Sequence, residues 1–285
     1  QSLNKSRNWV ARMIRALVRL GLIRAYTTVF DPTQVFAERN TILLMKTNPR
    51  ELKVSESLLE IPDLESLDGI SGEHSLLGLF RFRHSGNFEE FLNRIDGAVA
   101  GSSARTYSLV QVLATYKTRG FVINETRRGQ PPLTPRDWEL IHALYRHHPT
   151  QDRPFFPTQE EIGLKMEHKL SQPAVCKAML RLEERGAIVG YSVDMPFSLI
   201  GLPVKFFLQI KSSPGAIAES ARRISEMDEV WDLHRTSEAY SLFATVRTAD
   251  VDGYNHFLRR LYENAHIEDT QSQISLEEWA LRAAP

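Results

Sequence analysis

Gly21-Leu22-Ile23-Arg24-Ala25-Tyr26 is answered 165 residues later by Gly186-Ala187-Ile188-Val189-Gly190-Tyr191. Lys46-Thr47-Asn48-Pro49 recurs at the same offset as Lys211-Ser212-Ser213-Pro214. The stripe Phe88, Phe91, Leu92, Ile95 recurs one residue further on as Tyr254, Phe257, Leu258, Leu261. A repeat sets the domain count before any element is assigned, and this period is the length of two small domains, not of a solenoid unit. The chain therefore reads as a tandem duplication of a two-domain protein. The second copy has roughly 50 residues ahead of Gly186 in its unit and the first has 20 ahead of Gly21, so roughly 30 residues are expected before Gln1.

The composition narrows the classes. The 285 residues are 42% hydrophobic, enough for packed cores, and no run approaches the roughly 18 apolar residues of a membrane helix. The single Cys176 excludes an internal disulfide and fits a reducing, cytoplasmic setting. Formal net charge is zero, so nucleic-acid binding must rest on local charge. No glycine-rich phosphate loop or nucleophile elbow is present, and nothing calls for a cofactor.

Residues 133–191 predict three short helices and a strand. Thr134-Pro135-Arg136-Asp137 opens the first, with Leu140, Ile141, Leu144 and Tyr145 inward. Thr158-Gln159-Glu160-Glu161 is a capping box that opens the second. Ser171 caps the third, where Pro173 is tolerated in the first turn and Val175, Met179 and Leu182 face the core. Gly186 ends it, and Ile188–Val193 alternates as a strand. That order is a winged helix-turn-helix, placed at residues 133–200. The first copy keeps only the last helix, with Val10, Ile14 and Leu17 inward, and the wing, together residues 1–36.

Residues 39–117 and 204–280 each read strand, helix, strand, strand, helix, strand, the ferredoxin-like order, within domains bounded at 37–117 and 201–285. The chain is thus α+β, with glycine, proline and charge making 118–132 a linker. In the second copy Val204, Phe206, Leu208 and Ile210 alternate with Lys205, Phe207, Gln209 and Lys211, a half-buried strand. A helix after Pro214 turns Ile217, Ala218, Ala221 and Ile224 inward. Thr41–Met45 is apolar on both faces, so Ile42 and Leu44 are expected to pack on another sheet.

The strongest local charge lies in residues 1–30. Lys5, Arg7, Arg12, Arg15, Arg19 and Arg24 give six positive charges, with no acidic residue before Asp31. Arg12, Arg15 and Arg19 oppose Val10, Ile14 and Leu17. A helix with one basic face suits major-groove docking, with Ser6, Arg7 and Asn8 near base edges and the later arginines on phosphates. The second candidate helix offers Ser171, Gln172, Pro173, Lys177 and Arg181. It is diluted by Glu183 and Glu184, and residues 133–191 carry eight basic and eight acidic side chains. Double-stranded DNA is the expected partner, and a solvated charged face is the plain alternative.

Leu170-Ser171-Gln172-Pro173-Ala174-Val175-Cys176-Lys177, continuing through Arg181-Leu182-Glu183-Glu184-Arg185-Gly186-Ala187-Ile188 to Gly190-Tyr191, resembles the recognition helix and wing of Lrp/AsnC (feast/famine) transcription regulators. Arg24 through Pro32 is similar to the family's linker strand. The resemblance covers nearly the whole chain twice. It implies a sequence-specific regulator with a small-molecule sensing domain after each winged helix, and self-association through sensing-domain sheets. Such regulators usually carry one unit per chain, so two fused sensing domains are expected to pair as a pseudo-dimer. The family's effector loop has a Gly-acid-aromatic-Asp pattern. Here the loop reads Gly72-Glu73-His74-Ser75 in one copy and Ser237-Glu238-Ala239-Tyr240 in the other, so neither keeps the final Asp. Glu73 and Glu238 offer partners for an amino-acid ammonium, against a plain strand connection. His142, His147, His148 and His168 match no usual zinc spacing, so no metal is expected. Two rival expectations remain. One is an enzyme like the siroheme decarboxylases, which share this architecture and place histidines near that loop, where His74 stands. The other is an architectural DNA-binding protein.

Overall fold

The computed structural model describes residues 5–35, 40–48, 52–82, 87–100, 102, 106–123 and 132–279. In chain order the elements are α1 (Arg7–Arg19), β1 (Ala25–Phe30), α2 (Pro32–Val35), β2 (Thr41–Lys46), α3 (Leu52–Leu59), β3 (Leu64–Ile70), β4 (Leu76–Phe80), α4 (Asn87–Ala100), β5 (Thr106–Thr118) and β6 (Phe121–Val122). There follow α5 (Pro135–Leu144), β7 (Arg146–His147), α6 (Gln159–Lys165), α7 (Gln172–Glu184), β8 (Ile188–Asp194), β9 (Val204–Ser212), α8 (Ile217–Ser225), β10 (Val230–Thr236), β11 (Leu242–Thr248), α9 (Val251–Leu261) and β12 (Ile267–Trp279). They form two compact units, each drawn from both halves of the chain: residues 1–31 with 124–201, and 32–123 with 202–285. Among the described residues no helix is long and apolar enough to cross a membrane.

In the first unit, α5, α6 and α7 bury Leu140, Ile141, Leu144, Ile162, Val175 and Leu182 between them. The capping boxes at Thr134/Asp137 and Thr158/Glu161 both form, because a side-chain oxygen satisfies the N3 amide while the N3 carboxylate accepts from the cap. Ser171 sits at the N-cap of α7 but makes no side-chain capping bond. Gly21 and Gly186 follow α1 and α7 with φ of 69° and 73°, the left-handed geometry that stops a helix. The strands after these glycines join one sheet. β1 pairs antiparallel with β8, from Ala25↔Asp194 to Phe30↔Ile188, and its other edge takes β7. A first-half strand thus lies between two second-half strands.

The second unit is a closed ring. Eight strands run β10-β11-β9-β12-β3-β4-β2-β5, all neighbours antiparallel, and β5 returns to β10. Each half supplies four strands in the same internal order. Leu43 and Met45 face α3 and α4 with Leu58, Phe80, Phe91 and Ile95. Phe206, Leu208 and Ile210 face α8 and α9 with Ile224, Tyr254, Phe257 and Leu261. Ile42 and Leu44 point the other way, onto Phe207 and Phe243 of the opposite half. The doubly apolar strand thus packs on a second sheet as its pattern requires. The Lys205/Phe207 face, which alternation assigns to solvent, is also interior, with Lys205 only 8% exposed. On α8, Ala218 is exposed and Ser220 is buried instead, bonded to Ser212 at 3.0 Å, because a small hydroxyl fills the place with its polar atom satisfied. The start of the expected linker is a hairpin: β6 folds back on β5, Arg119 and Gly120 take φ of 48° and 82°, and the Gly120 N–H donates to Trp231 O at 2.8 Å. Residues 124–131 of that linker lie outside the described residues.

The two seams that close the ring differ in chemistry. At β3–β12, buried Asp68 accepts from Lys205 Nζ at 2.9 Å and from Ser275 Oγ at 2.7 Å, while Glu278 bridges Lys205 and Arg247. At β5–β10 the ring-related position to Asp68 is His234, buried with Nδ1 3.0 Å from Thr115 Oγ1. Burial pushes the His234 imidazole down from 6.5 to about 4. Because its folded pKa is depressed, its contribution to stability is present above 6.5 and drains as pH falls toward about 4. Urea unfolding at stepped pH is therefore expected to show a loss on the order of 3 kcal/mol across that window that is absent in His234→Gln. Equal slopes in the two proteins would remove the histidine from this role.

Candidate nucleic-acid interface

The exposed face of α7 carries Gln172, Pro173, Lys177, Leu180, Arg181 and Glu184. Shifted back by the repeat offset, these positions fall on Arg7, Asn8, Arg12, Arg15, Ala16 and Arg19 of α1, and all but Ala16 are exposed. Where α7 has Gln172, Lys177, Leu180 and Glu184, α1 has four arginines, and Arg181 falls on Ala16. Among the described residues, Arg7, Arg12 and Arg19 enter no ion pair. Arg15 lies over the Phe155 ring at 5.2 Å and Lys5 over Trp9 at 5.6 Å, which leaves both cationic ends at the surface. Ser6 is the N-cap of α1: its hydroxyl accepts from the Trp9 amide at 3.2 Å, so half of its expected capacity toward a base edge is used in the helix. Beneath this face, Val10, Ile14 and Leu17 are half-buried, because α1 lacks the helix packing that α5 and α6 give α7.

On α7 two of the expected contacts, Gln172 and Arg181, are exposed but already engaged within the protein. Gln172 donates to Gln159 Oε1 on α6 at 2.7 Å, since two neighbouring amides satisfy one another. Arg181 is ion-paired with Asp137, whose carboxylate is 2% exposed and needs a counter-charge. Burial presses the Asp137 carboxyl upward, but the Thr134 amide and hydroxyl and the Arg181 guanidinium outweigh it and hold it below the usual carboxylate range. Ser171, Pro173 and Lys177 remain exposed. Glu183 does not dilute the exposed face: it accepts from the Tyr191 hydroxyl at 2.5 Å and ties α7 to β8. That pair carried no sequence signal, because it joins a helix to the strand that follows it.

The expected effector loops connect the central strands of each half. Gly72 takes φ of 115°, and its carbonyl accepts from Lys46 Nζ at 3.2 Å. Ser75 is consumed locally, with its Oγ 2.7 Å from the Thr47 amide and 2.9 Å from Thr47 Oγ1. Tyr240 donates to Asp269 at 2.6 Å, so its hydroxyl is also engaged. Glu73 and Glu238 are exposed. His74 is half-buried, and its Nδ1 is buried without a hydrogen-bond partner among the described residues. Each loop leans on the other half: the Ser71 N–H donates to Ile274 O at 3.0 Å and the Ser237 N–H to Gln111 O at 3.1 Å.

Residues 205–284 match the family model of the Lrp/AsnC ligand binding domain. The chain is 26% identical over 117 residues to the HTH-type transcriptional regulator Ptr1 of Methanocaldococcus jannaschii, covering 41% of this chain and 78% of that protein. It is 37% identical over 84 residues to the HTH-type transcriptional regulator LrpA1 of Halobacterium salinarum, covering 29% of this chain and 58% of that one. In fold it is similar to the siroheme decarboxylase NirDL, with a TM-score of 0.63 at 14% identity over 96% of this chain and 82% of that one. Residues 205–284 are thus similar to the Lrp/AsnC ligand binding domain, and the chain is similar in sequence to the HTH-type transcriptional regulators Ptr1 and LrpA1.

The ion pair with Asp137 separates Arg181 from Lys177. Arg181→Ala is expected to cost about 1–3 kcal/mol by leaving the buried Asp137 carboxylate short of a partner. Lys177→Ala should stay within about 0.5 kcal/mol of the parent. Guanidinium unfolding of the two variants is the check, and similar midpoints would show that the pair with Asp137 adds no stability.

Proposed function

We propose that this chain is a DNA-binding transcription regulator of Lrp/AsnC type, built as a tandem duplication. In this reading residues 133–200 are a winged helix-turn-helix, and 1–36 are the last helix and wing of a second one. The ferredoxin-like domains 37–117 and 201–285 form an intramolecular pseudo-dimer that receives a small metabolite. The observation that carries the reading is the face of α1, where Arg7, Arg12, Arg15 and Arg19 occupy the positions of the exposed stripe of α7. A helix that gathers four cations on one face without acidic neighbours gains little in solution and much against phosphates. Arg7 and Asn8 at its N-terminal end would approach base edges, and Arg12, Arg15 and Arg19 would hold the backbone. The sequence kinship to Ptr1 and LrpA1, named as transcriptional regulators, supports the same reading.

Selection of genomic fragments at two salt concentrations tests it, and a short enriched motif is the expected result. With about four phosphates neutralised, log affinity should fall against log salt with a slope near −3.6. Arg12→Ala with Arg15→Ala should weaken binding more than Lys177→Ala with Arg181→Ala, once the stability cost of Arg181→Ala is allowed for. Uniform binding to all fragments would make the chain an architectural DNA-binding protein instead.

A second reading is favoured by one observation. The unpartnered Nδ1 of His74 stands in the loop where a tetrapyrrole-processing enzyme would need a histidine, and the whole-chain fold likeness to NirDL accompanies it. On that reading, adding an iron tetrapyrrole should produce a shifted absorption band that His74→Ala abolishes. A spectrum equal to the sum of its parts excludes it.

A further inference from the structure

Each loop between central strands leans on the last strand of the other half, and matching hydrogen bonds hold both. The Ile70 N–H donates to Ser75 O at 2.9 Å, as the Thr236 N–H does to Ser241 O at 3.0 Å, and Ser71 and Ser237 reach across to Ile274 and Gln111. Aligning these bonds sets Gly72 against Glu238 and His74 against Tyr240. On the supporting strands β12 and β5 it sets Gln273 against Val110. Val110 belongs to the apolar layer between the sheets. Gln273 lies opposite Phe207 of that layer and is 9% exposed, and its Oε1 is buried without a hydrogen-bond partner among the described residues. A Cβ on Gly72 would meet Gln273 Cγ at 4.0 Å and no other residue beyond its chain neighbours, so the space beside Gly72 is bounded by the glutamine and otherwise open. His74 Nδ1, in the same loop, is likewise buried and unpartnered among the described residues. The other loop differs at each place. Glu238 stands where Gly72 leaves room, Tyr240 is bonded to Asp269, and Val110 offers no polar atom. Ser241 Oγ is unpartnered there, but Ser75 at the matching place turns back onto Thr47 of its own half.

We propose that loop 70–75 takes one small carboxamide-bearing ligand per chain, read by Gln273 and His74, and that loop 236–241 takes none. A buried carbonyl left unpaired carries a free-energy cost that a ligand can remove. A primary carboxamide sets an N–H donor beside a C=O acceptor, so it can donate to the Gln273 amide oxygen and accept from an imidazole Nδ1–H. A carboxylate of the same shape has no donor, leaves Oε1 unpaired and brings negative charge against it. The inference rests on the reading of the second unit as the receiver of a small metabolite, and narrows it to one loop and one functional group.

The experiment is calorimetric titration of the full chain with L-glutamine and, separately, with L-glutamate, which differ in that group alone. It is repeated on Gln273→Val and Glu238→Gly, with circular dichroism to confirm folding. Gln273→Val installs the residue that the matching strand carries, in a layer already apolar, so its effect reads recognition and not loss of structure. The expected result is one glutamine per chain, with glutamate weaker by at least about tenfold, Gln273→Val weaker by about tenfold, and Glu238→Gly unchanged. Two ligands per chain, equal isotherms for glutamine and glutamate, or an unchanged isotherm in Gln273→Val would overturn the proposal. A thermal-shift screen of the other amino acids separates this inference from the reading beneath it. Stabilisation by one that lacks an amide, retained in Gln273→Val, ends the inference and leaves the metabolite reading standing, whereas stabilisation by none, glutamine included, counts against both.

Discussion

Closure of the eight-strand ring is the constraint on which the second unit rests. An open sheet leaves a row of unpaired N–H and C=O groups at each edge. Here each half has two such edges, β3 and β5 in the first, β10 and β12 in the second, and each is consumed by an edge of the other half. The seams also exchange side chains: Tyr116 on β5 sits in the second-half core, and Trp279 on β12 packs on the first-half core. Neither half therefore completes its own core. Stability of one half is conditional on the other, and the loops leaning across the seams at Ser71 and Ser237 inherit that dependence. The inner sheet faces of the two halves pack on each other within one chain.

The elements were largely legible because helix caps and face periodicity are local. Thr134, Thr158, Gly21 and Gly186 mark their helix ends through backbone chemistry that distant residues do not alter. The doubly apolar Thr41–Met45 announced a second packing face for the same reason: no solvated strand keeps Ile42 and Leu44. Lys205 misled, because a lysine at a strand position reads as solvent-facing. Its charge is tolerated inside only because Asp68, 137 residues away, lies against it at 2.9 Å. Nothing within a window of ten residues encodes that partner. The pairing of β1 with β8 was hidden likewise, since both strands read equally well as wings of separate units.

The interface was legible as charge and illegible as commitment. The arginine stripe of α1 needs only helical spacing to appear. Whether a polar side chain on α7 is free depends on what α5 and α6 offer it. Gln159 takes Gln172, and Asp137 takes Arg181. Asp137 does two jobs at once, closing its own capping box and holding Arg181, so a first-turn residue of α5 also ties down the last turn of α7. Counting charges along the chain makes Arg181 available and Glu183 a deterrent, while packing pairs Arg181 with Asp137 and Glu183 with Tyr191.

On the proposed reading of the chain as a tandem duplication, these differences between the halves have one physical consequence. In a symmetric dimer every interface residue faces the equivalent surface of an identical partner, so a substitution appears twice and must be tolerated twice. Covalent fusion lifts that condition. Asp68 at one seam and His234 at the other could not stand at the same position in a homodimer. One seam is held by an ion network with Lys205, Arg247 and Glu278, the other by a neutral imidazole against Thr115. The same freedom permits α1 to collect arginines at the positions where α7 has Gln172, Leu180 and Glu184. On the proposed function, such a chain is free to keep one helix for affinity and the other for structure. A target read by such a chain has no reason to be a perfect palindrome.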